Sequence, residues 1–99
     1  MPRNRVIVSP EARKDLRIIR KHSERQWGSR KAGAYIEAIW DSIESLEKHP
    51  EIGRVVSPDQ PESRRLTVTP HIVYYRVRES GVEISRVLHE RMDASTQLD

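Results

Sequence analysis

The residues of this sequence best equipped for chemistry are its arginines. Of its 18 basic residues 14 are arginine, and the four lysines, Lys14, Lys21, Lys31 and Lys48, all lie in the first half. A guanidinium fork grips phosphate or carboxylate through two parallel hydrogen bonds, which an ammonium cannot do. From Arg64 to Arg91 six arginines (Arg64, Arg65, Arg76, Arg78, Arg86, Arg91) stand against three acids, Glu79, Glu83 and Glu90. Such a run reads either as a grip for an anionic macromolecule or as strand edges kept soluble by charge. Other chemistries find little. His49, His71 and His89 fall on different elements, without the tight spacing of a metal site, so no metal or cofactor is expected. Gly53 is solitary, so there is no glycine-rich phosphate loop. No Ser/His/Asp order points to a hydrolase. The absence of cysteine excludes disulfides and thiol catalysis, and makes a cytoplasmic location the natural expectation.

These cations need elements to hold them. A length of 99 residues leaves room for one core, so residues 1–99 read as one domain, with a loose polar tail over 94–99. There is no phenylalanine and there are only five aromatic residues, so the core must rest on Ile, Val and Leu with Trp27, Trp40 and three tyrosines. No apolar run approaches the roughly 20 residues of a membrane helix. The basic start, Met1 to Arg5, precedes only three apolar residues and is no signal peptide.

Arg5-Val6-Ile7-Val8 is a short β-prone run. Ser9-Pro10-Glu11 then starts a helix, with serine as cap, proline at the first position and glutamate at the positive end of the dipole. Ala12, Leu16 and Ile19 repeat at helical spacing up to Trp27-Gly28, where glycine terminates the helix. Ser29 is expected to cap a second helix. Its apolar positions Ala32, Tyr35, Ile36, Ile39, Trp40, Ile43 and Leu46 run on to His49-Pro50, and Tyr35 and Trp40 lie at the two edges of the stripe. Residues 50–63, with three prolines and Gly53, read as an irregular connection. Three strand-like runs follow: Arg64–Val68, Ile72–Arg78 and Val82–His89. In the middle run Val73, Tyr75 and Val77 share one face. In the last run Val82, Ile84, Arg86 and Leu88 share one face, opposite Val87 and His89. The predicted architecture is α+β, in the order β-α-α-β-β-β. A helical hairpin packs on a mainly antiparallel four-stranded sheet.

Four patches carry a family resemblance: Ser9-Pro10-Glu11-Ala12 with Asp15-Leu16, His49-Pro50-Glu51-Ile52-Gly53-Arg54, Ile72-Val73-Tyr74-Tyr75-Arg76-Val77, and Arg86-Val87-Leu88-His89-Glu90-Arg91-Met92-Asp93. In this order, spanning about Val6 to Asp93, they resemble the RelE/ParE toxin superfamily of type II toxin–antitoxin pairs. The His-x-Arg-x-Asp ending is similar to the ParE-like members. The resemblance implies a toxin held inactive by a cognate antitoxin in a hetero-oligomer, and a target among two. ParE-like members poison DNA gyrase, whereas RelE-like members cut messenger RNA on the ribosome. No membrane is implied.

RNA cleavage on such a fold needs a nucleophilic 2′-hydroxyl, a proton for the leaving oxygen and cations around the phosphate. Arg54, Arg64, Arg65, Arg76, Arg86 and Arg91 could supply the cations, with Arg65 and Arg86 as the phosphate grip. His89, His71 and Glu51 are the acid/base candidates, with His89 or Glu51 handling the proton. The tyrosine, histidine–tyrosine pair or lysine cluster found near the C-terminus of superfamily nucleases is missing, since no tyrosine follows Tyr75 and no lysine follows Lys48. The expectation is therefore a gyrase inhibitor without catalysis. Arg64, Arg65, Arg76, Arg86 and Arg91 would contact the target, while His89 and Asp93 would close the terminus structurally. Tyr35 and Trp40 are expected to border the antitoxin's groove, Trp40 as an interface anchor.

Overall fold

The computed structural model describes residues 5–92. Its elements are β1 (Arg5–Val8), α1 (Pro10–Trp27), α2 (Ser29–Ser45), β2 (Arg54–Ser57), β3 (Gln60–Val68), β4 (His71–Arg78) and β5 (Gly81–His89). The sheet order is β1-β5-β4-β3-β2, with β1 parallel to β5 and the other pairs antiparallel. The expected α+β arrangement is present with five strands, one more than the sequence suggests. Asp93 and the tail over 94–99 lie outside the described residues.

The extra strand is β2, hidden in the proline-rich stretch. Pro50 precedes it, and Pro58 sits in the turn to β3. Pro61 lies where the β2–β3 register is irregular, between the Val55–Arg64 and Ser57–Gln60 pairs. None of the three costs a regular ladder bond, which is how proline enters a sheet.

The helices start and stop for local reasons. The Ser9 hydroxyl accepts from the Ala12 amide at 3.0 Å and donates to the Ser85 carbonyl at 2.9 Å, so one side chain caps α1 and ties it to β5. Gly28 (φ +86°) ends α1 and is also the residue before α2. Ser29 is thus already helical rather than the expected cap, because a one-residue link leaves no position for one. The second helix also ends earlier than expected, at Ser45 rather than at His49-Pro50. Leu46, Glu47 and Lys48 instead donate to carbonyls three residues back at 3.1–3.2 Å, a tighter winding.

The core lies between the helical pair and one sheet face. Ala12, Leu16 and Ile19 of α1 and Ile36, Ile39 and Ile43 of α2 meet Val73, Tyr75, Val82, Ile84 and Val87. Ile84 pairs with Tyr75 but Arg86 pairs with Tyr74, so Ser85 is an extra residue in β5. This bulge overturns the alternation predicted for the last strand. Beyond it Val87, not Leu88, joins the core, and Leu88 clusters with Ile72 and Tyr74.

Two polar tethers close the core. The buried Tyr75 hydroxyl donates to the Pro50 carbonyl and accepts from the Gly53 amide, both at 2.8 Å. Arg64 reaches the Gly53 and Glu51 carbonyls at 2.7 and 3.1 Å. A β-carbon at position 53 would collide with the Tyr75 hydroxyl and stand 2.8 Å from the Arg65 carbonyl oxygen, so only glycine lets the loop sit this close. On the far side of α2, Tyr35 bonds the Val68 carbonyl at 3.1 Å and also His71 Nδ1. Tyr35 has one proton for these two neighbours. Given to the carbonyl, it requires His71 to carry a proton on Nδ1, which sets the tautomer of the neutral ring. Burial pushes the Tyr35 hydroxyl up to about 12 and His71 down to about 4, the latter reinforced by His89 and His22 and opposed by Glu90.

Each tether is testable. Tyr75→Phe leaves the Gly53 amide without its partner and is expected to lower unfolding free energy by about 1–3 kcal/mol in urea. Gly53→Ala is expected to cost at least as much. For His71, the unfolded chain binds a proton as pH falls through 6.5, while the folded chain does so only near 4. Stability should therefore fall as pH drops from about 6.5 toward 4. Urea midpoints at the two ends of that range measure this drop, and His71→Gln should remove most of it. An unchanged drop in that variant would assign the proton uptake to other groups.

Candidate functional site: an arginine face and an interhelical groove

The register of the sheet aligns Arg54 of β2, Arg65 of β3, Tyr74 of β4 and Arg86 of β5 in one row across four strands. The next row holds Ser63, Arg76 and Glu83. Directly paired residues project from the same face, here the one away from the core residues Val73 and Tyr75. Arg54, Arg65 and Arg76 are exposed on it, and among the described residues none of them forms an ion pair. Arg54 directly opposite Arg65 is an unfavourable like-charge contact. Arg65 is partly accommodated by Tyr74, with its guanidinium carbon 6.0 Å from the ring centre. Tyr74 itself is only 4% exposed.

The five arginines expected to act together are divided by the fold. Arg65 and Arg76 lie on the open face. Arg64 faces the other way and is bound to the loop carbonyls described above. Arg86 begins in the row but is drawn to the sheet edge. Its Nε and Nη2 donate to Asp15 at 2.8 and 3.0 Å, and Asp15 also accepts the Val87 amide at 3.0 Å. The pair is largely buried, and the Asp15 bond raises the Arg86 pKa above its ordinary value. Arg91 is exposed in the turn after β5, where its amide donates to His89 Nδ1 at 3.1 Å.

Of the proton-transfer candidates, His71 and His89 share a pocket with Arg86 but stand apart from the open arginine face. His89 pairs with His71, three residue pairs along the ladder from Arg65, and its ring stands edge-on to His71 at 5.3 Å. His71 in turn meets Tyr35 of α2, so this pair belongs to the helix-side tether. Glu51 is exposed in the turn before β2. Of Arg65, Arg86, His89 and Glu51, Arg86 and His89 meet, lining one pocket of about 320 Å³ together with His71, whereas Arg65 and Glu51 lie apart from it. Among the described residues no group of three His, Asp or Glu could hold a metal ion, and no helix is long and apolar enough to cross a membrane.

The two aromatic residues of α2 also part company. Tyr35 is tethered to the sheet, with Trp27 edge-on to it at 6.0 Å. Trp40 is half-buried and lines a groove of about 200 Å³ between the helices. Leu16 and Ile36 form the groove's floor with Trp40, and Arg13, Arg17 and Arg20 form its rim. Spacing of four and three residues sets these arginines along one face of α1. Tyr74 is the row member not singled out as a site residue from the sequence, because cross-strand register has no local signal.

The sequence from residue 6 to 94 matches the family model described as "ParE toxin of type II toxin-antitoxin system, parDE". Toxin ParE1 of Mycobacterium tuberculosis is 32% identical over 96 residues, covering 96% of this chain and 98% of that protein. Toxin ParE1 of Caulobacter vibrioides is 36% identical over 91 residues, with 92% and 94% covered. Among solved structures, the chromosomal ParDE toxin–antitoxin system from P. aeruginosa superposes with a TM-score of 0.75 at 23% identity, over 87% of this chain and 95% of that one. The RelBE2 toxin–antitoxin complex of Mycobacterium tuberculosis gives 0.57 at 21% identity, over 90% and 99%, and both likenesses speak to the fold. A helical pair on a five-stranded sheet, with the family pattern running through nearly every element, makes this chain a member of the ParE toxin family of type II toxin–antitoxin systems.

Proposed function

We propose that this toxin inhibits DNA gyrase through its open arginine face, and that a cognate antitoxin silences it by docking an acidic amphipathic segment in the groove beside Trp40. The observation that carries the first half is the run of exposed cations Arg54, Arg65 and Arg76, set side by side without carboxylate partners among the described residues. Cations aligned against their own repulsion favour a ligand that brings negative charge. The groove supports the second half. An apolar floor flanked by Arg13, Arg17 and Arg20 matches a helix with apolar anchors along one stripe and carboxylates beside it. Such charge matching speeds association as well as fixing the register.

A ribosome-dependent messenger-RNA endoribonuclease remains the second reading, and one observation favours it. Tyr74 is paired across the sheet with both Arg65 and Arg86, and the Arg65 guanidinium carbon lies 6.0 Å from its ring centre. Against it, Tyr74 is buried and Arg86 is already held by Asp15.

Two measurements decide between them. Purified toxin is expected to block gyrase supercoiling, with relief on adding antitoxin. Arg65→Ala and Arg76→Ala should each weaken the block by roughly tenfold or more, the loss of one charge-assisted contact. The urea midpoint of Arg76→Ala should stay within error of the parent, and that of Arg65→Ala should not fall, since it removes the like-charge contact with Arg54. Primer extension on translated message should show no cleavage, and cuts that vanish in Arg65→Ala or Tyr74→Phe would replace gyrase by the ribosome as target. For the antitoxin, Trp40→Ala should raise its dissociation constant by about 30-fold or more, the loss of a hot-spot anchor. An unchanged constant would remove the groove from the interface.

A further inference from the structure

The sheet ends in two outer strands of different character. β1 is four residues long and turns straight into α1, and its one exposed large apolar side chain is Ile7. At the other edge Ile52, Val55 and Val56 are 48%, 41% and 44% exposed, three large apolar side chains within five positions. β2 pairs only with β3, so its outer N–H and C=O groups face away from the sheet. Exposed edges are usually blunted by lysine or by a covering element. Here no lysine follows Lys48, and β2 carries one charge, Arg54. Its irregularity lies on the inner side. Between the Val55–Arg64 and Ser57–Gln60 pairs β2 spends one residue and β3 three, so the extra residues belong to β3.

We propose that the β2 edge is an interface with a second copy of this chain, the two β2 strands pairing antiparallel about a two-fold axis so that one sheet continues into the other. Charge complementarity selects this occupant. An antiparallel arrangement sets the Arg54 end of each strand against the Ser57-Pro58-Asp59 turn of the other and keeps the two Arg54 side chains apart. Arg54 and Asp59 are both exposed, and neither forms an ion pair among the described residues. The two-fold turns this match into two Arg54–Asp59 pairs. Val55 and Val56 fall near the axis, and Ile52 falls toward Pro58 of the other copy. Pro58 lies in the turn, so its missing N–H costs the new ladder nothing. Two four-residue strands bury little area, so the dimer is weak, with a dissociation constant on the order of 10–100 µM. The pairing leaves the Trp40 groove untouched and does not rest on gyrase as target.

Sedimentation velocity on the purified chain from roughly 1 to 500 µM tests this, spanning the expected dissociation constant. The expected result is a shift from one to two chain masses. Val56→Lys should raise the dissociation constant by at least about tenfold, through like charges at the axis, with an unchanged urea midpoint. The chain has no native cysteine, so single Val55→Cys and Val56→Cys variants under mild oxidation give a second readout. The residue on the axis should cross-link, because opposed Cα atoms about 4.5–5.5 Å apart suit a disulfide, while a Glu79→Cys control should not. A parent chain that stays monomeric at the highest concentration overturns the proposal, as does a dimer indifferent to Val56→Lys without cross-linking at 55 or 56. A monomeric parent whose antitoxin affinity falls in Val56→Lys also overturns it, and gives the edge to a partner strand instead.

Discussion

The placement of α1 depends on a polar cluster built around the Asp15 carboxylate and Ser9. β1 supplies only four residues of pairing to β5, ending at the Val8–Ile84 pair. Beyond that point the β5 edge would present unpaired amides to the body of the protein. The chain covers them with side chains of the next element. The Ser9 amide and hydroxyl bind the Ile84 and Ser85 carbonyls at 3.0 and 2.9 Å, and Asp15 accepts both the Val87 amide and the Arg86 fork. An unmade bond to a buried amide costs about 1–3 kcal/mol, and an unpaired buried charge costs more, so this cluster is intolerant of losing any member. Through it α1 is fixed at the β5 edge, α2 follows after one glycine, and the groove between the helices inherits its position.

The same cluster explains why the arginines have different roles despite their uniform chemistry. Arg86 is consumed in holding α1, and Arg64 in holding the loop before β2. Both satisfy groups that would otherwise be stranded at the ends of the fold. Arg54, Arg65 and Arg76 satisfy nothing of that kind. Arg54 against Arg65 lowers stability by a few tenths of a kcal/mol to about 1 kcal/mol. In a small domain with an aliphatic core that is a sizeable share of the total. Retaining such a contact on an open face, while buried polar groups elsewhere are carefully matched, separates the residues that build the protein from those available to a partner.

Much of this was legible in the residues. The cap at Ser9-Pro10, the stop at Gly28, the apolar stripes of both helices and the inward set Val73, Tyr75 and Val77 follow from local periodicity and capping chemistry. β2 was obscured by its three neighbouring prolines, whose harmlessness depends on where each falls in the ladder. The Ser85 bulge was equally hidden. An alternating run shows no mark where an extra residue enters, yet that residue moved Val87 into the core and Leu88 out of it. The candidate site suffered most. Arg64 and Arg65 are adjacent in sequence and therefore opposed in the sheet. Arg54 and Arg65, eleven positions apart, are neighbours. Trp40 was legible as the rim of an apolar stripe, whereas the role of Tyr35 required knowing where His71 lies.

The arrangement also constrains how one partner could silence the toxin. The groove beside Trp40 belongs to the helical layer, and the exposed arginines belong to the opposite sheet face. Filling the groove therefore leaves Arg65 and Arg76 uncovered. The molecule is 21 Å across its thinnest axis, a distance that roughly seven residues of extended chain can span. A partner consisting of one acidic helix would bind without masking the arginine face. A partner whose helix continues into an extended acidic stretch of about that length could neutralise both surfaces at once. The linker between its two parts would make the second contact intramolecular, so modest affinity at each surface would multiply into tight neutralisation. Loss of the extended stretch would then free the toxin's cationic face while the helix was still bound.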